Sequence, residues 1–179
     1  VNPDPNPNPA RPDDSRPGPD RPDIAELERQ HRELQLPSAD LTDTWRLGSL
    51  IVAVALERGL AVTVDIRRGE QQVFHVALPG TSADNDDWIR RKAAVVRRFG
   101  EASYLVGERH RAGGRAFDLD PARYAAHGGS FPLLVRGTGM VGTVTVSGLP
   151  QLEDHRLVTE CLARHLAQSG HQGTGAPVL

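Results

Sequence analysis

The side chains best equipped for chemistry fall in two stretches of the chain. His127-Gly128-Gly129-Ser130 sets an imidazole and a hydroxyl beside a glycine pair, and glycine freedom at positive φ allows successive N–H groups to form a nest for a carboxylate or phosphate. Earlier, His75 sits mid-strand among apolar neighbours, and Asp84-Asn85-Asp86-Asp87-Trp88 follows it closely, with Arg90, Arg91 and Lys92 beyond. His155 comes directly after Glu153 and Asp154. An imidazole nitrogen can ligate a metal ion or move a proton, and a nearby carboxylate orients the ring.

Each feature has a plainer reading too. Asp84 and Asp86 alternate as in a calcium loop, but the glycine and terminal glutamate of that geometry are missing, and anionic residues in a first helical turn complement its dipole. The glycine pair with Ser130 makes an ordinary turn before Pro132 opens a strand. Trp88 serves either as core or as an aromatic edge with cationic neighbours for an anionic ligand. Ser130 near a histidine suggests a hydrolase, yet no strand-to-helix elbow or complete triad accompanies it. One cysteine, Cys161, rules out both an intrachain disulfide and a zinc site of paired Cys/His spacing, and its place on an apolar stripe predicts a buried thiol. No structural metal is expected.

The elements that must position these residues follow from periodicity. A helix is predicted over 23–36, capped by Asp23 and ended by Pro37, and a second over 40–58, from Asp40 to Gly59. The second is apolar nearly all round from Leu47 to Leu56, with Trp45 starting its apolar part, so it is buried in the core or against another subunit. Strands over 60–66 and 71–78 form a hairpin through Arg67-Arg68-Gly69-Glu70. A three-residue loop ending at Gly69 puts Asp65 and His75 on one face, whereas a two-residue loop at Arg68-Gly69 puts them on opposite faces. Helices over 84–99 and 102–111 come next, the first with Trp88, Val95, Val96 and Phe99 inward. Loop 115–126 leads to a hairpin of Leu133-Leu134-Val135 and Met140–Val146 about Gly137-Thr138-Gly139. A last helix over 150–168 turns Leu157, Val158, Cys161, Leu162, His165 and Leu166 inward.

This order suits an α+β domain with an antiparallel sheet backed by helices. The two hairpins are expected to share one sheet, so that the segments around 75, 84 and 127 meet at a common concavity.

Asp65-Ile66-Arg67-Arg68, Phe74-His75-Val76-Ala77-Leu78-Pro79-Gly80-Thr81, Asp84–Lys92, Arg98-Phe99-Gly100 and the stretch from His127 to His155 together resemble the haem-degrading-domain family. Relatives in that family include the glycolate-operon G protein and secreted haem-binding proteins, and the resemblance is strongest to an uncharacterised bacterial and fungal branch, over residues 41–167. It implies a profilin-like sheet of four to five strands with helices on both faces, assembly into homo-oligomers, and haem or a related tetrapyrrole as ligand. The ligand-binding candidates are His75, Asp84, Asn85, Trp88, His127, Gly128, Gly129, Ser130 and His155; no catalytic residue is assigned.

Composition frames the rest. Residues 1–22 carry eight of the fourteen prolines and almost nothing to bury, which reads as a disordered tail; 23–168 form the domain, and 169–179 a flexible Gly-rich end. A net charge of −2 with interleaved signs shows no footprint of a nucleic-acid binder. No apolar run is long enough to span a bilayer and no leader is visible, so a cytoplasmic protein is expected. Three functions are compatible: an oligomeric small-ligand binder, which leads; a non-catalytic scaffold or partner-binding protein; and a haem-degrading enzyme.

Overall fold

In the computed structural model, residues 21–114 and 117–172 are described. The order is α1 (Ile24–Glu33), β1 (Gln35–Leu36), α2 (Leu41–Glu57), β2 (Thr63–Arg68), β3 (Gln71–Ala77), α3 (Ala83–Phe99), α4 (Ser103–Ala112), β4 (Ser130–Val135), β5 (Gly139–Ser147) and α5 (Gln151–Gln172). Five strands form one sheet in the order β1-β4-β5-β2-β3. Both expected hairpins lie in it, β2 with β3 and β4 with β5, joined where β2 pairs antiparallel with β5.

The sheet is mixed, not purely antiparallel. Leu34, Gln35 and Leu36, which the periodicity assigned to the first helix, leave it: α1 ends at Glu33 and Gln35–Leu36 pair parallel with Leu134–Val135. Leu34 and Leu36 are buried either way, so the apolar spacing is met by a short strand as well as by a last helical turn. At the other end of the chain α5 runs on to Gln172, which brings 169–172 into a helix instead of the expected flexible end. Residues 1–20 and 173–179, which hold most of the tail expectations, lie outside the described residues. Arg21, placed in the tail by composition, donates to Tyr104 Oη at 3.0 Å and to Glu108 at 2.7 Å.

Alternation along the strands gives the sheet two unlike faces. Val64, Ile66, Val144, Val146, Phe131 and Leu133 point into the apolar core, where Leu47, Ile51 and Val54 of α2 and Leu157, Val158, Cys161 and Leu162 of α5 close over them. Cys161 is buried as expected, and burial pushes its thiol up to about 11. The opposite face is polar: Thr63, Asp65, Ser130, Thr143, Thr145 and Ser147 are all buried. α3 lies on that side, its Asn85 amide donating to the Ser147 carbonyl at 3.2 Å.

Two aromatic expectations are corrected. Trp45 is 62% and Phe99 40% exposed. On α2 the inward face is filled by Leu47, Gly48 and Ile51, with Gly48 packed so closely on the Phe74 ring that a Cβ would lie 2.5 Å from it. Trp45 is left outside, edge-on to Phe74 at 5.7 Å.

Candidate functional site

α3 organises the candidate residues, and the 100° step between its residues divides them. Asp86, Ile89, Arg90, Ala93 and Arg97 face one pocket, while Trp88 and Arg91, on the other flank, face another. His75 lines the first and His127 the second. The expected common concavity is thus two separate pockets, because a full helix width stands between the two segments.

The first pocket, about 490 Å³, is built on the β2–β3 hairpin. Its turn is Gly69-Glu70, with Gly69 at φ +53°, and a bulge between Ile66 and Arg67 restores the register so that Asp65 pairs directly with His75. That outcome matches neither loop alone but has the same-face consequence of the three-residue one. Asp65 is 1% exposed. Its carboxylate accepts from His75 Nδ1 at 3.1 Å, from Arg67 Nε at 3.2 Å and from the Gln72 amide. His75 Nε2 then faces Asp86 Oδ1 at 3.3 Å. A buried carboxylate on Nδ1 fixes the ring so that Nε2 is the nitrogen presented to the pocket, an arrangement that can hold or pass a proton there.

The second pocket, about 530 Å³, lies between α3, α4 and the segment 117–127. Trp88, Phe117 and Tyr124 supply aromatic walls, and His110 and His127 supply imidazoles. Trp88 and His127 meet edge-on at 5.2 Å, and His110 and Phe117 likewise at 5.1 Å. Two cations join them. The Arg91 guanidinium sits 4.0 Å over the Trp88 ring while its Nε donates to Asp87, and Arg111 reaches the same pocket from α4.

The glycine turn does a different job from a nest. Gly128 N–H points to Gln151 Oε1 at 3.4 Å, Ser130 N–H donates to Ser103 Oγ at 3.1 Å, and Ser130 Oγ is paired with Thr145 Oγ1 at 2.8 Å. Gly129, at φ +119°, accepts from Val146 N–H at 2.8 Å. A side chain on Gly128 would overlap the Gln151 carbonyl. The pair lets β4, β5 and the start of α5 approach one another.

Asp84 and Asn85 lie in the first turn of α3 and line neither pocket; Asn85 accepts from Ser82 N–H at 2.9 Å and so caps the helix. Lys92, grouped by sequence with the cationic neighbours of Trp88, points the other way and is fully buried against Asp154. His155 is buried as well. Its Nε2 meets Gln30 Oε1 at 2.8 Å, its ring stacks on Tyr104 at 5.0 Å, and burial lowers it to about 3, which keeps it neutral inside the fold. The same burial, with Glu108 nearby, raises the Tyr104 phenol to about 12.

Sequence reasoning missed His110, Arg111, Phe117 and Tyr124. The three residues from 110 to 117 surround Gly113-Gly114 and Tyr124 follows Pro121 in a loop, so no period links them; only the aromatic content of an otherwise polar loop marks the place.

Comparison with known proteins agrees with this architecture. The sequence model of a family described as haem degrading protein HbpS-like matches residues 40–163. A UPF0303 protein of Streptomyces coelicolor is 56% identical over 154 residues, covering 84% of this chain and 98% of its own length. One of Rhizobium etli is 45% identical over 149 residues, covering 82% and 91%. Among solved structures, the Ybr137w protein superposes with a TM-score of 0.76 at 29% identity, covering 82% of this chain and 88% of its own. A haem complex of PduOC superposes at 0.62 with 18% identity over 70% of this chain and 94% of its own, a likeness of fold. With its family's model matched along most of its length, and with relatives this similar, the chain belongs to the HbpS-like haem-degrading-protein family.

Proposed function

We propose that this protein is a homo-oligomeric small-ligand binder whose pocket between α3, α4 and residues 117–127 takes haem or a related tetrapyrrole. One observation carries the reading: aromatic walls, two imidazoles and two guanidinium groups border a single depression. A flat apolar macrocycle with anionic side chains needs that combination, aromatic contact for its faces, nitrogen donors for its iron and cations for its propionates. His110 and His127 would be the donors and Arg91 and Arg111 the propionate partners. The PduOC relative of the same fold was solved as a haem complex, which supports the choice of ligand. His75 and His155 are not part of this site.

Titrating the protein with haemin tests it. A saturable Soret shift, weakened by His127→Ala and abolished by His110→Ala/His127→Ala, is the expected result. Absence of a saturable shift, or one that the double variant retains, would sink the proposal and leave the scaffold reading. Loss of bound haem absorbance on adding a reductant with catalase present would move the protein from binder to degrading enzyme.

Self-association is supported by a stripe on α2. Leu41, Trp45 and Leu56 are all exposed and recur at helical spacing, next to β3, which ends the sheet with one side unpaired. A second copy of the chain covering that stripe would remove apolar surface from water on both protomers.

A further inference from the structure

Between the two pockets, on the outer side of α3, lies a third depression with a different character. Arg90, Arg97 and Arg98 of α3 and Arg123 of the following loop line about 550 Å³, with Ala94 as the floor and Tyr124 as a wall. Arg98 and Arg123 each hold their guanidinium carbon 5.8 Å from the centre of the Tyr124 ring. Arg90 donates to the Ala122 carbonyl at 3.1 Å and fastens the loop beside the helix. Among the described residues Arg97, Arg98 and Arg123 form no ion pair with a carboxylate.

Gathering like charges costs energy, and the chain as a whole carries −2, so the cluster is not overflow from a basic surface. Arg97 and Arg98 complement the C-terminal dipole of α3. That does not account for Arg123, which comes from another segment, while Arg90, two turns earlier, is held by its own ion pair with Asp87. The three guanidinium forks of Arg97, Arg98 and Arg123, which converge without carboxylate partners, match the oxygens of phosphate groups, and several together match a chain of them.

We propose that this depression binds the di- or triphosphate group of a small molecule. Its concavity, on a chain whose net charge is −2, suits a compact polyanion better than a nucleic-acid backbone. Arg90 and Arg97 also border the Asp65–His75 pocket, and Tyr124 the aromatic one, so the rest of such a molecule adjoins both.

Isothermal titration with inorganic pyrophosphate at low salt tests the proposal without involving haem, so it stands or falls apart from the tetrapyrrole reading. Saturable binding is expected, weakened about tenfold or more in Arg97→Ala/Arg123→Ala, since loss of even one charged hydrogen bond is worth that much. Arg32→Ala/Arg136→Ala, which removes exposed arginines elsewhere, should bind as the parent does. All four side chains are exposed, so the variants should keep the parent melting temperature. No saturable binding, or equal weakening in both double variants, would overturn the site. Citrate binding as tightly as pyrophosphate would overturn the phosphate assignment. A ten-nucleotide thymidine strand that binds more tightly and is lost in the first double variant would make this a nucleic-acid surface instead.

Discussion

Lys92 Nζ lies 2.7 Å from Asp154 Oδ2 with neither side chain exposed to solvent. The pair ties α3 to the first turn of α5 at the end of the sheet where β5 gives way to that helix. Lys92 also donates to the Val146 carbonyl at 3.2 Å, and Asp154 Oδ1 accepts from Leu149 N–H at 3.0 Å. Both charges are therefore hydrogen-bonded as well as paired, which is the condition under which a buried ion pair is tolerated.

Breaking that pair from one side should be severe. Lys92→Met strands a buried carboxylate and is expected to cost about 3–5 kcal/mol, whereas Lys92→Met/Asp154→Leu removes both charges and should cost clearly less. Urea denaturation of the three proteins measures the difference. A double variant no more stable than the single one would mean that packing around the pair, and not the orphaned charge, sets the cost.

Gly129 lies against the same pair. A Cβ there would come 2.5 Å from the Val146 carbonyl oxygen and 2.8 Å from Lys92 Nζ, at a φ of +119° that side chains avoid. Gly129→Ala should cost about 3 kcal/mol or more, combining backbone strain with overpacking. Gly137, at φ +74° with nothing near its Cβ position, provides the contrast: Gly137→Ala should cost only about 1–2 kcal/mol. Equal losses in thermal unfolding would show that close approach at Gly129 contributes nothing beyond its dihedral angle.

The comparison shows what the sequence could reveal. Capping residues and 3.6 periodicity located α2, α3 and α5 to within a few residues, because Asp40 and Gly100 end their helices by local bonding that needs no tertiary partner. The pairing of Asp65 with His75 is not legible in the sequence, since it hangs on a bulge between Ile66 and Arg67 that the turn residues do not specify. The glycine pair at 128–129 was visible as special, but a glycine that binds and a glycine that packs look alike until the Gln151 and Val146 carbonyls are placed beside them. Spacing alone groups Lys92 with Arg90 and Arg91, because the carboxylate partner that sets it apart is sixty-two positions away. The arginines of α3 announced a cationic ridge, yet only the fold brings Arg123 and Tyr124 to it.

Burial of histidine makes stability depend on pH. His155 is lowered from 6.5 to about 3 by burial, and His31 and His165 are lowered for the same reason. Between those values the unfolded chain binds a proton that the folded one refuses, so stability is full above about pH 7.5 and falls as the pH drops through the unfolded value. At pH 5 the loss from His155 alone should be about 2 kcal/mol relative to pH 8, since each pH unit below the unfolded pKa costs about 1.4 kcal/mol. His155→Phe keeps an aromatic ring on Tyr104 and removes the titrating group. Its urea midpoint should therefore vary less between pH 8 and 5 than that of the parent, whatever its absolute stability. An unchanged pH dependence would place the effect elsewhere.

The exposed stripe on α2 makes a prediction about assembly. Trp45 is 62% exposed and touches Phe74 only by its edge, so Trp45→Glu removes little from the protomer's own core. A surface change of that kind alters protomer stability by about 0.5 kcal/mol or less. In an assembly that buries the stripe, the same change puts a carboxylate into an apolar interface, where desolvation disfavours it strongly. Native mass spectrometry and size exclusion should find the parent as an oligomer and Trp45→Glu shifted to smaller species, with a melting temperature that no longer rises with protein concentration. A parent that is monomeric, or a variant that keeps the parent's mass, would remove the α2 stripe from the interface and leave the unpaired side of β3 as the surface to test.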